Sequence, residues 1–341
     1  MIVELVRGTI VESRHTVHAA VVDGDGKLVA SAGDPDYVTF WRSAAKPFQA
    51  MPIIIDGAAD HFGISQQELA LTCASHSSEQ SQVDLVREFL KKIGCTERDL
   101  MCGPHTPLSE AVAKDYQTRG VRLTAVYSNC SGKHTGMLAQ AKHKGWPTEG
   151  YVRPDHPVQK RCLAEVAKWT GVPEKQIGVA VDGCGVACFA IPVRNMALAY
   201  ARLGAGRGKR DEGSVRSPAL PSSPLPLPAD SSSRILEAIL RHPELIAGEG
   251  RPCTEMMRAH PNRVFTKVGA DGVYSGVLVQ EGLGVALKIE DGHGPASILA
   301  IATILEELGL RPMPATLKEK PMTNSRGETV GALRIRGGLT R

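Results

Sequence analysis

No stretch of the 341-residue chain approaches the ~18 uninterrupted apolar residues that a membrane-spanning helix needs. A membrane partner is therefore not expected. The opening Met-Ile-Val-Glu-Leu-Val-Arg-Gly has an acidic residue at position 4 and no apolar core, so it does not read as a secretory signal. The expected location is the cytoplasm. Charge of one sign is also scarce: 40 Lys and Arg against 36 Asp and Glu leave a formal net charge of +4, scattered along the chain. That excess is too small to point to nucleic acid or an anionic membrane, and a small-molecule partner is the better expectation. No repeat with a period of about 20–50 residues is present. The eight cysteines include no Cys-x-x-Cys pair and are spread through the chain, so most are expected as reduced thiols. Any that cluster in space become metal or nucleophile candidates. A hydrophobic share of 42% is ordinary, and the length allows one large core or two modest ones, enough for an enzyme.

The richest stretch is Val126-Tyr-Ser-Asn-Cys-Ser-Gly-Lys-His-Thr-Gly-Met-Leu138. It reads as an extended segment, a tight turn and then a helix that Gly145 stops. The turn gathers a thiol, an amine and an imidazole, Cys130, Lys133 and His134, within about one helical turn, at a helix N-terminus that favours anions and thiolates. Earlier, Thr16–Val22 and Lys27–Ala30 flank Asp23-Gly-Asp-Gly26 and predict a hairpin. Pro47 predicts a helix start near Lys46. Ser65-Gln-Gln-Glu68 is a capping box, and a second helix is expected after Ser78. Helices are also predicted over Ser109–Arg119, Pro157–Trp169, Met196–Leu203, Ser233–Arg241, Thr254–Ala259 and Pro295–Leu308. Ile177–Val181 is a short strand ending in the Gly-rich turn Asp182-Gly-Cys-Gly185, and Arg263–Gly269, Val273–Val279 and Gly284–Ile289 form an antiparallel meander. Gly204 to Asp230, rich in Gly, Ser, Pro and Arg, reads as a flexible excursion.

Several residue pairs carry chemistry. Ser43-x-x-Lys46 at a helix start is a nucleophile pattern, because i, i+3 spacing brings an amine beside a hydroxyl and burial favours the neutral amine that can take its proton. Lys267-Val-Gly269 resembles the Lys-Thr-Gly strand that accompanies Ser-x-x-Lys in penicillin-binding enzymes. Ser75, between them in Cys73-Ala-Ser-His76, has the chain position of a third polar element, whereas Ser78 reads as a helix N-cap. Cys130, Lys133 and His134 on one Gly-rich turn and Asp182 and Cys184 on another offer metal ligands, and a zinc site can draw one thiolate from each. Taken singly, Cys184 and Cys188 also read as small buried hydrophobes, and His134 as a cap of its own helix.

The blocks Trp41-Arg-Ser-Ala-Ala-Lys-Pro-Phe-Gln49, Cys73-Ala-Ser-His76, Asn129-Cys-Ser-Gly-Lys-His-Thr-Gly-Met137, Val181-Asp-Gly-Cys-Gly185, His242-Pro-Glu-Leu-Ile-Ala-Gly248 and Thr266-Lys-Val-Gly-Ala-Asp-Gly-Val-Tyr274 resemble those of the bacterial L-asparaginase II family, the Rhizobium etli type. The resemblance covers nearly the whole chain. It implies an α/β fold like that of serine β-lactamases and glutaminases. The expected form is a mixed, mainly antiparallel sheet built from both termini, about 3–32 and about 263–290, around a helical middle of about 43–260, as one domain over 1–341. It implies hydrolysis of L-asparagine to L-aspartate and ammonia, with Ser43 paired to Lys46 and Ser75 to Lys267. It also implies Zn2+ with an unusual lysine ligand, held by Cys130, Lys133 and Cys184, with His134 and Asp182 close by. Arg42, His134 and Asp182 are the expected substrate-binding residues, and a homodimer is the expected assembly. Ser43 is expected to be acylated, with Ser75 as the alternative. A glutaminase or other acyl hydrolase on the same scaffold, and a metal- or amino-acid-binding protein without turnover, are the rival readings. The presence of Ser43, Lys46, Ser75 and Lys267 together speaks against the last, since a binder needs no activated nucleophile.

Overall fold

Asp23 sets the first turn: its carboxylate accepts the backbone N–H groups of Asp25 and Lys27 at 3.0 and 2.9 Å. This joins strand β2 (Ile10–Asp23) to β3 (Leu28–Ala32), the predicted hairpin. The structure, a computed structural model, describes residues 1–205, 229–318 and 321–341. Most of the Gly/Ser/Pro-rich excursion therefore lies outside the described residues. The chain divides into two units. Met1–Ala44, Ile191–Leu220 and Glu255–Arg341 form a sheet unit, and Ala45–Ala190 with Pro221–Thr254 form a helical unit.

In the sheet unit, β1 (Ile2–Arg7) joins β2 and β3 from the N-terminal side of the chain. From the C-terminal side come β4 (Val264–Val268), β5 (Val273–Leu278), β6 (Leu283–Ile289), β7 (Pro321–Thr323) and β8 (Thr329–Arg336). Their order is β7-β8-β1-β2-β6-β5-β4, with β3 also on β2, and these pairings are antiparallel. Both ends of the chain thus build one mainly antiparallel sheet, as expected, in a mixed α/β fold. The strands β7 and β8, beyond the predicted meander, continue it past β1. Glu4 locks that junction, because Arg14 and Arg334 sit opposite it on the two neighbouring strands and donate to its buried carboxylate at 3.2 and 2.9 Å. The helix Val193–Ala205 packs on the sheet where Gly284 leaves room: a Cβ there would lie 1.9 Å from the Ala197 carbonyl oxygen.

The helical unit is built around Lys46–Ile55, Gln66–Thr72, Ser131–His143 and Pro157–Thr170. Ser65 and Glu68 form the predicted capping box, and Gly171 closes the last of these helices at φ 72°. The expected extended segment before Asn129 instead holds a short 3-10 turn, Ala125–Tyr127. Ser131–His143 is buried over its first eleven residues and cannot be read as an amphipathic stripe. It settles on Gln66–Thr72 because Gly132 has no side chain; a Cβ would stand 2.5 Å from the Leu71 carbonyl oxygen. Among the described residues no helix is long and apolar enough to cross a membrane.

Backbone atoms cannot yield as a side-chain tip can. Gly132→Ala is therefore expected to lower unfolding stability by roughly 1–3 kcal/mol, the usual cost of overpacking. Gly103→Ala, where nothing lies within 4 Å, should stay within about 0.5 kcal/mol of the parent. Urea titration of both variants checks the contrast.

Candidate active site

Ser75–Ser78 belong to no helix or strand, yet all four residues are buried. Irregular backbone in that position needs partners inside the protein. Gln82 Oε1 accepts the N–H groups of Ser77 and Glu79 at 3.1 and 3.0 Å. Ser77 Oγ donates to the Ala247 carbonyl at 2.8 Å, Ser78 Oγ to that of Tyr127 at 2.7 Å, and the Tyr116 hydroxyl to that of Ser78 at 2.7 Å. His76 Nδ1 accepts the Ser78 N–H at 3.1 Å while Nε2 lies 2.9 Å from Ser131 Oγ, which sets the ring as neutral with its proton on Nε2. Burial, and then the charge of Lys46, push its pKa down to about 3. Ser78 is not the helix cap that the sequence predicts. It has φ 59°, and Glu79 caps the helix with Gln82.

Into this loop comes Lys46, the first residue of Lys46–Ile55 and 1% exposed. Its Nζ donates to the Ala74 carbonyl and, at 3.0 Å, to Ser75 Oγ, and it reaches the Asn129 carbonyl at 3.5 Å. Three oxygens replace the water that a buried amine gives up, a loss that would otherwise cost several kcal/mol. Ser75 is itself held in place by its N–H, which donates to the Ile246 carbonyl at 2.9 Å.

A second cluster forms where the two Gly-rich turns meet. Cys130 immediately precedes the helix Ser131–His143, Lys133 lies in its first turn, and Cys184 sits on the turn that leads from Gly178–Val181 into residues 187–190. Lys133 Nζ donates to Cys184 Sγ at 3.2 Å. The Cys130 thiol, hydrogen-bonded to Cys184, draws the Cys184 pKa down to about 4 against the opposing effect of burial, and Lys133 adds to this. The same bond, with burial, pushes Cys130 up to about 12. Burial disfavours the Lys133 ammonium, but Cys184, Cys130 and Asp182 outweigh it and hold the pKa above the usual lysine range. The pair is a thiolate facing an ammonium. His134 follows, fully buried, with Nδ1 2.7 Å from the Tyr151 hydroxyl and its pKa pushed down to about 3 by burial and then by Lys133.

Among the described residues no three His, Cys, Asp or Glu side chains are grouped so as to hold a metal ion. The expected Zn2+ therefore depends on the Lys133 nitrogen as its third protein donor. Two thiol sulfurs and an amine fit a tetrahedral ion with one position left for a ligand, provided each donor gives up its proton.

Arg42, Ser43 and Lys267 belong to the sheet unit. Arg42 has φ 53°, an uncommon conformation for a non-glycine residue, and its guanidinium pairs with Asp271. Next to it, Trp41 Nε1 donates to Ser275 Oγ at 3.0 Å, and Ser275 lies opposite Lys267 across β4 and β5. The 3-10 turn Arg42–Ala45 that carries Ser43 is thus anchored to the strands that carry Lys267. Lys267 is fully buried and its Nζ donates to the Val268 carbonyl at 3.0 Å. Each expected pair, Ser43 with Lys46 and Ser75 with Lys267, has one member in each unit, and the bond described within the helical unit is that of Lys46 to Ser75. Two residues in the clusters are not singled out by the sequence reading: His76 and Tyr151. His76 had a signal, its place next to Ser75. Tyr151, alone after Gly150, had none.

The chain belongs to the L-asparaginase II family, whose model matches residues 3–335. Membership places it among the acyl hydrolases. Of the solved structures, a β-lactamase from Mycobacterium bovis is similar at 14% identity with a TM-score of 0.43, over 89% of this chain and 92% of that one. The protein Mglu in its native form is similar at 14% identity with a TM-score of 0.38, over 86% of this chain and 61% of that one. A search among curated proteins returned no match.

The neutral His76 gives a pH test. Its folded pKa of about 3 lies below the ~6.5 of an unfolded histidine, so the unfolded chain binds the extra proton and stability is lost as pH falls below ~6.5. Between pH 7.5 and 5.5 this one group should remove about 1.4 kcal/mol. His76→Gln, which keeps one donor and one acceptor, should lack that increment when unfolding free energies of the two proteins are compared at both pH values.

Proposed function

We propose that the protein hydrolyses L-asparagine to L-aspartate and ammonia through a serine acyl-enzyme. The observation that carries this reading is the 3.0 Å bond between Lys46 Nζ and Ser75 Oγ, with both residues buried. A protein that only binds a metal or an amino acid has no use for a buried amine on a serine hydroxyl. Membership of the L-asparaginase II family supports the choice of substrate.

In the proposed reaction a serine oxygen attacks the side-chain amide carbon and its proton passes to an amine. The C–N bond then breaks, a proton reaches the leaving nitrogen, and ammonia departs. Water hydrolyses the β-aspartyl ester and restores the serine. Ser43 takes the acyl group, on its Ser-x-x-Lys spacing, with Lys46 as base. Ser75, bonded to Lys46, passes the proton to the leaving nitrogen, and Lys267 is the second amine of the set. Arg42, His134 and Asp182 orient the substrate. Cys130, Lys133 and Cys184 would hold Zn2+, which when bound would supply a Lewis acid to orient the α-carboxylate and the α-amino group as its free amine.

Ammonia release from asparagine is expected to exceed that from glutamine, and Ser43→Ala, Ser75→Ala and Lys46→Met should each lower kcat by roughly a thousandfold or more. Mass spectrometry of the quenched enzyme should place a β-aspartyl adduct on Ser43; an adduct on Ser75 with Ser43 unmodified reverses the two serine roles. Glutamine turned over in preference to asparagine contradicts the substrate. Separately, Cys184→Ser should lower zinc content in elemental analysis, and stoichiometric zinc in that variant contradicts the proposed ligand set.

A further inference from the structure

His134 is fully buried, and its Nε2 has no hydrogen-bond partner among the described residues. Its other nitrogen, Nδ1, lies 2.7 Å from the Tyr151 hydroxyl, which itself accepts the Met101 N–H at 2.9 Å. We propose that Tyr151 is a positioning residue that fixes the tautomer of His134, so that the ring presents an Nε2–H donor to an oxygen of the bound substrate. The substrate's identity rests on the asparagine reading; the tautomer does not.

Counting hydrogens separates the two possible arrangements. If the Tyr151 O–H donates to Nδ1, its oxygen accepts from Met101, its hydrogen is satisfied, and only the Nε2–H of His134 lacks a partner. If instead an Nδ1–H donates to Tyr151, that oxygen takes two donors and its own hydrogen has nowhere to go, because no third partner of the hydroxyl is described. The Nε2 lone pair is then stranded as well. A buried group left without a partner loses its hydration with nothing in return, so the first arrangement, with one orphan, is favoured over the second, with two. Tyr151 is itself fully buried, so no bulk water is at hand to relieve the second arrangement.

The chemistry of the partner follows. An N–H donor needs a carboxylate or amide oxygen, whereas a metal ion needs a lone pair. In this tautomer His134 is a ligand to substrate and not a fourth zinc donor, although Lys133 directly precedes it and Cys130 lies four positions back.

Nitrogen-15 NMR of histidine-labelled protein at pH 7.5 tests this, with the His134 signals assigned by their loss in His134→Gln. The expected spectrum is a neutral ring protonated on Nε2, and a ring protonated on Nδ1 overturns the proposal. Tyr151→Phe should turn His134 into a mixture of tautomers or shift it to Nδ1–H; an unchanged Nε2–H form removes Tyr151 from the account. If Tyr151→Phe does not fold, the parent spectrum still decides the tautomer. With L-aspartate added, the Nε2–H proton should move downfield. Aspartate shown by calorimetry to bind while that proton stays in place overturns the donor role. Aspartate that does not bind at all counts against the asparagine reading and leaves the tautomer result standing. In turnover of asparagine, Tyr151→Phe should raise KM about tenfold and change kcat less than about twofold, as loss of a contact made equally in ground and transition states requires. A fall in kcat at unchanged KM contradicts a binding role.

Discussion

A primary amine at 1% exposure is the constraint on which the helical unit depends. Lys46 is tolerable there only because the Ala74 carbonyl, the Ser75 hydroxyl and the Asn129 carbonyl converge on its nitrogen. Two of these oxygens come from the irregular stretch after Gln66–Thr72 and the third from the turn before Ser131–His143. Those two helices must therefore approach closely, and Gly132 against the Leu71 backbone is what permits it. The bond between His76 and Ser131 ties the same two segments a second time. Ser75, Lys46 and the start of Ser131–His143 form one interlocked arrangement.

The same helix start also carries Cys130 and Lys133 to Cys184. Burial alone would raise both thiols and lower the amine. The hydrogen bond between the sulfurs breaks that symmetry, and Cys184 becomes the thiolate while Cys130 keeps its proton. The charge of Lys46 favours the thiolate form of both cysteines as well, so the two clusters are electrically linked. An apolar substitution in either would be felt in the other.

Much of this was legible beforehand where local chemistry decides structure. Proline at a helix start, the Ser65–Glu68 capping box and the Asp-Gly turn after β2 announce elements whose cause lies within a few residues. The helix expected after Ser78 is Gln80–Lys92, whose buried Val83, Val86, Phe89 and Leu90 recur at helical spacing. Ser131–His143 is predicted from the spacing of Met137, Leu138 and Ala141 and from Gly145 at its end, although burial on all sides leaves it no polar face. The strand β8 was missed because its reason to exist is remote: Glu4, more than three hundred positions away, supplies the partner for Arg334. In the site, the residue types were readable from their turns, but their bonding was not. Sequence spacing suggested Lys46 for Ser43, whereas the described bond of Lys46 is to Ser75, 29 positions on. Tyr151 could not be found from sequence at all, because the partners of its hydroxyl, His134 and the Met101 N–H, lie 17 and 50 positions away.

Whether the Lys46–Ser75 pair is the place where an amino-acid side chain is hydrolysed is tested most directly by a crystal structure with L-aspartate bound. The expected result puts the aspartate β-carboxylate within hydrogen-bond distance of Lys46 Nζ and Ser75 Oγ. Aspartate bound elsewhere, with the bond between Lys46 and Ser75 intact and unapproached, would contradict it.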